Sequence, residues 1–178
     1  MIVVYWEEKM DTNKLFENKM ILVGMDDAKI TNSENFIIGT RSLATCLGVL
    51  LYNEEKKLAI VVHVSSNPYL ALDKLFQILI DNKLLRIKFK YKIFFGYDKV
   101  PAIYHGIVDI LKEHFKDFVP FDENDIPDNA IHVDNNFESL EFAFDASTGS
   151  FVTEKIFCDF NDFTLFDANI NNGNIRGK

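Results

Sequence analysis

TRSLATCLGVLLYNEEKKLAIVVH, residues 40–63, places two apolar segments on either side of a polar one. The segments LGVLLY (47–52) and LAIVVH (58–63) are rich in β-branched or bulky residues, and the run NEEKK separates them. Apolar strands joined by a short polar loop are typical of a β-hairpin. Because Glu-Glu is a poor pair for a two-residue primed turn, we expect a four-residue loop.

This hairpin is expected to bring a thiol and an imidazole together. If the chain reverses between Glu54 and Glu55, directly opposed residues have numbers that sum to 109, as those of Cys46 and His63 do. Opposed Cβ atoms lie about 4.5–5.5 Å apart, so both side chains would share one face within hydrogen-bonding reach. A turn of odd length would instead place them on opposite faces.

A cysteine in contact with a histidine is the minimum for nucleophilic catalysis by a thiol. His63 would take the proton of Cys46 to give a thiolate–imidazolium pair, and would return it to the leaving group. A third group must orient the ring, and Thr40 is a candidate through its hydroxyl or its carbonyl. Spacing alone leaves two alternatives open, in which Cys46 is a packed core thiol and Thr40 an ordinary strand-end residue.

Small or polar residues flank the cysteine and the histidine. Ala44 and Thr45 would let backbone N–H groups, including that of Cys46, approach a developing oxyanion. Ser65 and Ser66 follow the histidine, where they either line the site or open the next helix. These residues are candidates for the lining of an active site.

Length and composition favour one globular domain, residues 1–178, with a leader at 1–19 and a variable tail at 159–178. The hydrophobic fraction of 48% and the 17 phenylalanines support a core, in which Cys158 is expected to lie. The net charge of −8 argues against nucleic acid or an anionic membrane as the main ligand.

The hydrophobic pattern predicts no membrane insertion, because no apolar run approaches the roughly 20 residues that span a bilayer. The first residues do not resemble a secretory signal, so a cytoplasmic location with reduced thiols is expected. Export by a dedicated secretion machine leaves no mark in the sequence and stays open.

The segments around the hairpin alternate between strand and helix patterns. The order predicts an α+β domain that is α/β sandwich-like, with two main helices on a mixed, largely antiparallel sheet or sandwich. Helices are expected at 65–85, with Asn67 as N-cap before Pro68, and at 101–116. Strands are expected at 20–30 (one or two), 35–40 and 86–97, with two more in 139–157 around the turn 146–149.

Metal and nucleotide motifs are absent from the sequence, which holds no HExxH, CxxC, EF-hand loop, GxGxxG or P-loop. We therefore expect no metal and no cofactor. The spacing does not match a papain-like protease, because the histidine of that class follows its cysteine by far more than the 63 − 46 = 17 residues found here.

Three segments together resemble one family over about residues 20–157. ILVGMDDAKI is similar to the family's opening strand, TRSLATCLGVLLYN to its nucleophile segment, and KKLAIVVHVSS to its histidine strand. The chain thus resembles the bacterial chemoreceptor glutamine deamidase CheD. The catalytic domains of cytotoxic necrotizing factor and related deamidating toxins share that fold.

The resemblance implies a thiol deamidase that converts a protein glutamine to glutamate through a thioester and releases ammonia without a cofactor. It implies that Cys46 is the nucleophile, His63 the general base and acid, and Thr40 the group that orients His63. The expected partner is a protein substrate that presents a glutamine.

The chain differs from the family near the site. Ala44 and Thr45 stand where the family usually has glycine and serine, and Phe94-Phe95-Gly96-Tyr97 replaces a glycine-rich segment. A host protein, deamidated by a secreted bacterial effector or toxin, is therefore a second candidate substrate beside a chemoreceptor in chemotaxis. Two other functions stay open: a catalytically silent binding module of this fold, and a thiol hydrolase with transglutaminase-like side activity.

Overall fold

The computed structural model describes residues 20–32, 34–65, 67–114, 118–135 and 138–153. The expectations for the leader 1–19, the tail 159–178, Ser66 and Cys158 concern residues outside this part. The strands within it are β1 (Met20–Val23), β2 (Asp27–Ile30), β3 (Ile37–Leu43), β4 (Leu47–Asn53), β5 (Leu58–Val64), β6 (Phe89–Phe95), β7 (Phe118–Pro120), β8 (Ile131–Asp134), β9 (Ser139–Asp145) and β10 (Ser150–Phe151). The helices are α1 (Pro68–Asp81) and α2 (Pro101–His114), and a 3₁₀ turn covers Glu123–Asp125.

The strands form two sheets of five strands each. The first has the order β1-β3-β9-β10, with β8 also paired to β9, and the second has the order β2-β5-β4-β6-β7. The pairs β1–β3 and β6–β7 are parallel, and the remaining pairs are antiparallel. The expected α+β class with a mixed, largely antiparallel sandwich and two helices is confirmed for the described residues.

The central strands β4 and β5 of the second sheet are buried on both faces, which explains their continuous apolar runs. Leu47, Val49 and Leu51 of β4 pack in a core cluster with residues of α1 and α2. Leu50 and Tyr52, on the opposite face of β4, pack against the first sheet in a second cluster. The molecule therefore has three layers: the first sheet, the second sheet and the helices.

Helix α1 begins as the sequence predicts. The Asn67 side chain caps it by accepting a hydrogen bond from the backbone N–H of Tyr69, and Pro68 occupies the first turn. The helix ends at Asp81 and is shorter than the predicted range 65–85, because Asn82 caps its last turn. Helix α2 also begins at the predicted Pro101.

The β4–β5 hairpin has a different register from the predicted one. Gly48, not Cys46, lies directly opposite His63, so opposed residue numbers sum to 111. The loop has the predicted four residues, 54–57, but its centre lies one position later. The Asn53 side chain accepts a hydrogen bond from the Lys56 N–H at 2.7 Å, which fixes Asn53 as the last residue of β4.

A shift of two in the opposed partner preserves the face on which a side chain lies. Cys46 therefore shares the face of Gly48 and His63, diagonally across the strand pair. No helix among the described residues is both long enough and apolar enough to span a membrane.

Candidate active site

The three predicted catalytic residues lie where the chain passes from the first sheet to the second. Thr40 belongs to β3 of the first sheet, Cys46 immediately precedes β4, and His63 belongs to β5 of the second sheet. An irregularity in the β3–β9 pairing between Thr40 and Leu43, with Ser42 at φ 60°, bends the chain at this point.

Thr40 holds the imidazole of His63 across the two sheets. The Thr40 hydroxyl oxygen lies 2.8 Å from Nδ1 of His63 and 2.8 Å from the carbonyl oxygen of Val23. The hydroxyl has one hydrogen, and the carbonyl can only accept, so Thr40 donates to Val23. Thr40 must then accept from His63, which places the proton of the neutral ring on Nδ1.

This tautomer leaves the other ring nitrogen of His63 as a hydrogen-bond acceptor. Nε2 is buried and has no hydrogen-bond partner within the part of the chain that the structure describes. Diagonal neighbours on an antiparallel pair have Cα atoms about 7–8 Å apart and Cβ atoms somewhat closer. Cys46 stands in this relation to His63, since Gly48 is the direct partner.

The protonation of the pair follows from its burial. Cys46 is 6% exposed and His63 is 2% exposed. Burial raises the pKa of the Cys46 thiol, and the charge of Asp26 raises it further, while a hydrogen bond from the Thr45 side chain lowers it. Burial lowers the pKa of His63 to about 4, against an opposing effect of Asp26.

Both pKa directions favour a neutral thiol beside a neutral imidazole in the resting protein. The predicted thiolate–imidazolium pair is opposed by these directions. The physical reason is desolvation, which disfavours both charged forms in a site that is almost closed to solvent.

The segment that leads into Cys46 is fixed by the chain that follows β6. The backbone N–H groups of Gly96, Tyr97 and Asp98 donate to the carbonyl oxygens of Cys46, Leu43 and Ala44 at 2.9–3.0 Å. A Cβ atom on Gly96 would collide with the carbonyl oxygens of Ala44 and Cys46. Glycine is therefore required for this close backbone contact, and the sequence analysis did not assign Gly96 this part.

The predicted lining residues differ in whether their backbone N–H groups are free to donate a hydrogen bond. The N–H of Ala44 already donates to the Ser42 carbonyl oxygen at 3.1 Å, so it is not free for an oxyanion. The N–H groups of Thr45 and Cys46 make no backbone hydrogen bond to any residue that the structure describes. Thr45 is exposed and Ala44 half-buried.

Asp26 is a residue of this region that the sequence analysis missed. It lies in the β1–β2 turn with φ 53°, and the next residue, Asp27, is the direct β2 partner of His63. Its carboxylate accepts hydrogen bonds from the backbone N–H and the hydroxyl of Ser65 at 3.1 and 3.0 Å. The sequence signal that could have indicated Asp26 was the acidic pair Asp26-Asp27 in a turn between two short strands.

Among the described residues, no group of three or more His, Cys, Asp or Glu side chains could hold a metal ion.

Comparison with known proteins finds a short match. The chain is 44% identical over 48 residues to a protein of Caldanaerobacter subterraneus subsp. tengcongensis named "Probable chemoreceptor glutamine deamidase CheD". The match covers 27% of this chain and 29% of that relative's length. No family model matches the chain.

Proposed function

We propose that this protein is a cysteine-dependent protein-glutamine deamidase. The observation that carries the proposal is the hydrogen bond from Nδ1 of His63 to Thr40, which leaves Nε2 as the acceptor on the face that Cys46 shares. The short match to a CheD relative supports the same chemistry. In this proposal Cys46 is the nucleophile, His63 the general base and acid, and Thr40 its positioning residue.

The first half-reaction forms a thioester. Nε2 of His63 takes the Cys46 proton as the sulfur attacks the carboxamide carbon, so the neutral resting pair needs no preformed thiolate. The backbone N–H groups of Thr45 and Cys46 supply donors for the developing oxyanion. His63 then returns the proton to the nitrogen, the C–N bond breaks, and ammonia leaves.

The second half-reaction regenerates the thiol. His63 takes a proton from water as the water oxygen attacks the thioester carbonyl. The C–S bond breaks, the sulfur recovers the proton from His63, and the substrate carries a glutamate carboxyl. Burial keeps the imidazole neutral at physiological pH, so the ring is available to accept a proton, while its lowered pKa makes it a weaker base than an exposed histidine.

We infer that the substrate is a protein that presents an accessible glutamine, acted on in the cytoplasm. A chemoreceptor is favoured by the name of the matching relative. A host protein reached by secretion is the alternative, since the exposed Tyr97 stands in a segment that is glycine-rich in the family and would give the surface there a different shape. Phe94 of the same segment is buried in the core between the sheets.

Ammonia release from a purified chemoreceptor cytoplasmic domain tests the proposal. The wild-type protein is expected to release ammonia in proportion to the glutamate formed. Cys46→Ser should release none while retaining the wild-type circular dichroism spectrum. Equal release by the folded Cys46→Ser variant would overturn the proposal.

The second candidate is a silent binding module, favoured by the raised pKa of Cys46, which disfavours the thiolate. A module of this kind would capture a partner protein without converting any glutamine. Its Cys46 would be alkylated at the same rate in the wild type and in His63→Ala, because no histidine-assisted chemistry would remain.

A further inference from the structure

A carboxylate lies in the turn that adjoins the thiol–imidazole pair. The β1–β2 turn that carries Asp26 begins after Val23, whose carbonyl binds Thr40, and ends at Asp27, whose Cα lies opposite His63. The turn is therefore attached to Thr40 at one end and to His63 at the other. Asp26 is half-buried, and its charge acts on both Cys46 and His63.

The Asp26 side chain is fixed in place but not saturated with hydrogen bonds. Oδ1 accepts from the Ser65 N–H, and Oδ2 accepts from the Ser65 hydroxyl. An ionised carboxylate has about four lone-pair sites, so roughly two remain for a ligand. Ser65 follows His63 by two residues, which holds this acceptor beside the histidine strand.

The chemistry of the proposed reaction gives this acceptor a role. A carboxamide presents an NH₂ group with two donors, whereas the product carboxylate presents only acceptors and a negative charge. A fixed carboxylate beside the reacting carbon therefore accepts a hydrogen bond from the carboxamide NH₂ and repels the carboxylate of the product.

We propose that Asp26 is a specificity-determining residue that accepts a hydrogen bond from the substrate carboxamide NH₂ and repels the carboxylate product. This inference rests on the proposed function, because it names the substrate group that Asp26 contacts. It accounts for a negative charge that is otherwise unfavourable beside a cysteine nucleophile, since that charge selects the amide and promotes departure of the acid.

Neighbouring Asp27 provides a matched control. Its carboxylate forms an ion pair with Lys74 of α1 at 3.0 Å. The variants Asp26→Asn and Asp27→Asn change the net charge by the same amount one residue apart, so any difference between them reports position. Asparagine retains acceptor and donor groups for Ser65 and tolerates the positive φ of Asp26, so Asp26→Asn is expected to fold.

The experiment compares two alkylating reagents at Cys46, iodoacetamide and iodoacetate. They resemble the amide substrate and the acid product, and they need no identified protein substrate. The alkylation reactions are run at pH 9. Peptide mass spectrometry then measures the rate at Cys46 separately from that at Cys158, and glutathione gives the ratio of the two reagents' rates with a free thiol. A change in the reactivity of the thiol itself affects both rates equally, so it cancels when the iodoacetamide rate is divided by the iodoacetate rate.

We expect the ratio of iodoacetamide to iodoacetate rates, relative to glutathione, to fall about tenfold in Asp26→Asn. Asp27→Asn should retain the wild-type ratio. An unchanged ratio in Asp26→Asn, or an equal fall in Asp27→Asn, would overturn the role of Asp26 and leave the deamidase proposal to its own test. Failure of both reagents to reach Cys46 in all three proteins would contradict both proposals.

Discussion

The Thr40 hydroxyl lies 2.8 Å from Nδ1 of His63, although the two residues belong to different sheets. The same hydroxyl is committed as a donor to the Val23 carbonyl oxygen at 2.8 Å. Thr40 therefore selects one tautomer of the ring as well as its orientation. The packing of the two sheets against each other therefore sets the tautomer and the orientation of His63.

Thr40→Val tests this positioning role. Valine has nearly the shape of threonine but cannot accept the Nδ1–H bond, so we expect kcat for deamidation to fall about 100-fold with little change in KM. Thr40→Ser keeps the hydroxyl and should retain most of the activity. Equal activity of Thr40→Val and the wild type would remove Thr40 from the mechanism.

The pH dependence of Cys46 alkylation tests the neutral resting pair. Because burial and the charge of Asp26 raise the pKa of Cys46 from its ordinary value of 9.0, the rate should still be rising above pH 9. Asp26→Asn should move the midpoint of the profile to lower pH. A rate that is already constant below pH 7 would instead indicate a preformed thiolate–imidazolium pair.

The stability of the fold should depend on the titration of His63. Its pKa falls from 6.5 to about 4 in the folded protein. Between these values the unfolded chain binds a proton that the native state does not, so stability is lost as the pH falls. The loss attributable to His63 by pH 4 is about 3 kcal/mol.

Urea unfolding at pH 7 and pH 4 measures this effect. His63→Gln serves as the control, because it cannot titrate and should lose about 3 kcal/mol less than the wild type over the same range. The same loss in both proteins would assign the pH dependence to other groups.

Gly96→Ala tests the backbone contact that fixes the nucleophile segment. The added methyl group would collide with the carbonyl oxygens of Ala44 and Cys46, so we expect a loss of about 1–3 kcal/mol in the free energy of unfolding. Deamidation should also decline, because the three hydrogen bonds that hold the segment would be strained.

Gly106→Ala is the matched control. Gly106 lies in α2 with no atom within 4 Å of an added Cβ, so the substitution should stabilise the protein by about 1 kcal/mol. Equal stability of Gly96→Ala and the wild type would show that the segment adapts to a side chain at position 96.

Local sequence patterns predicted much of the fold. The N-cap Asn67, the strand pattern at 20–30 (predicted as one or two strands and found as two) and the strand–turn–strand around 146–149 are each specified by neighbouring residues, and all appear in the structure. Strands of three or four residues at the sheet edges are too short to show a period. β7 and β8 were not predicted for this reason.

The candidate site was also predicted only in part from local sequence patterns. Spacing placed Cys46 and His63 on one face, but it missed the register by two residues, because the hydrogen bond that the Lys56 N–H donates to the Asn53 side chain moves the turn. Asp26 and Gly96 were not predicted as parts of the site. Their roles depend on contacts between segments 39 and about 50 residues apart in the chain, which no local pattern encodes.

Deamidation by Cys46 is tested most directly by peptide mass spectrometry of proteins incubated with the purified chain. Bacterial and host lysates, each treated with wild type or Cys46→Ser, would be searched for glutamines that acquire the mass of glutamate. We predict conversion at specific glutamines with the wild type and none with the folded Cys46→Ser variant. Conversion of the same glutamines by Cys46→Ser, or of no glutamine by the wild type, would contradict the account.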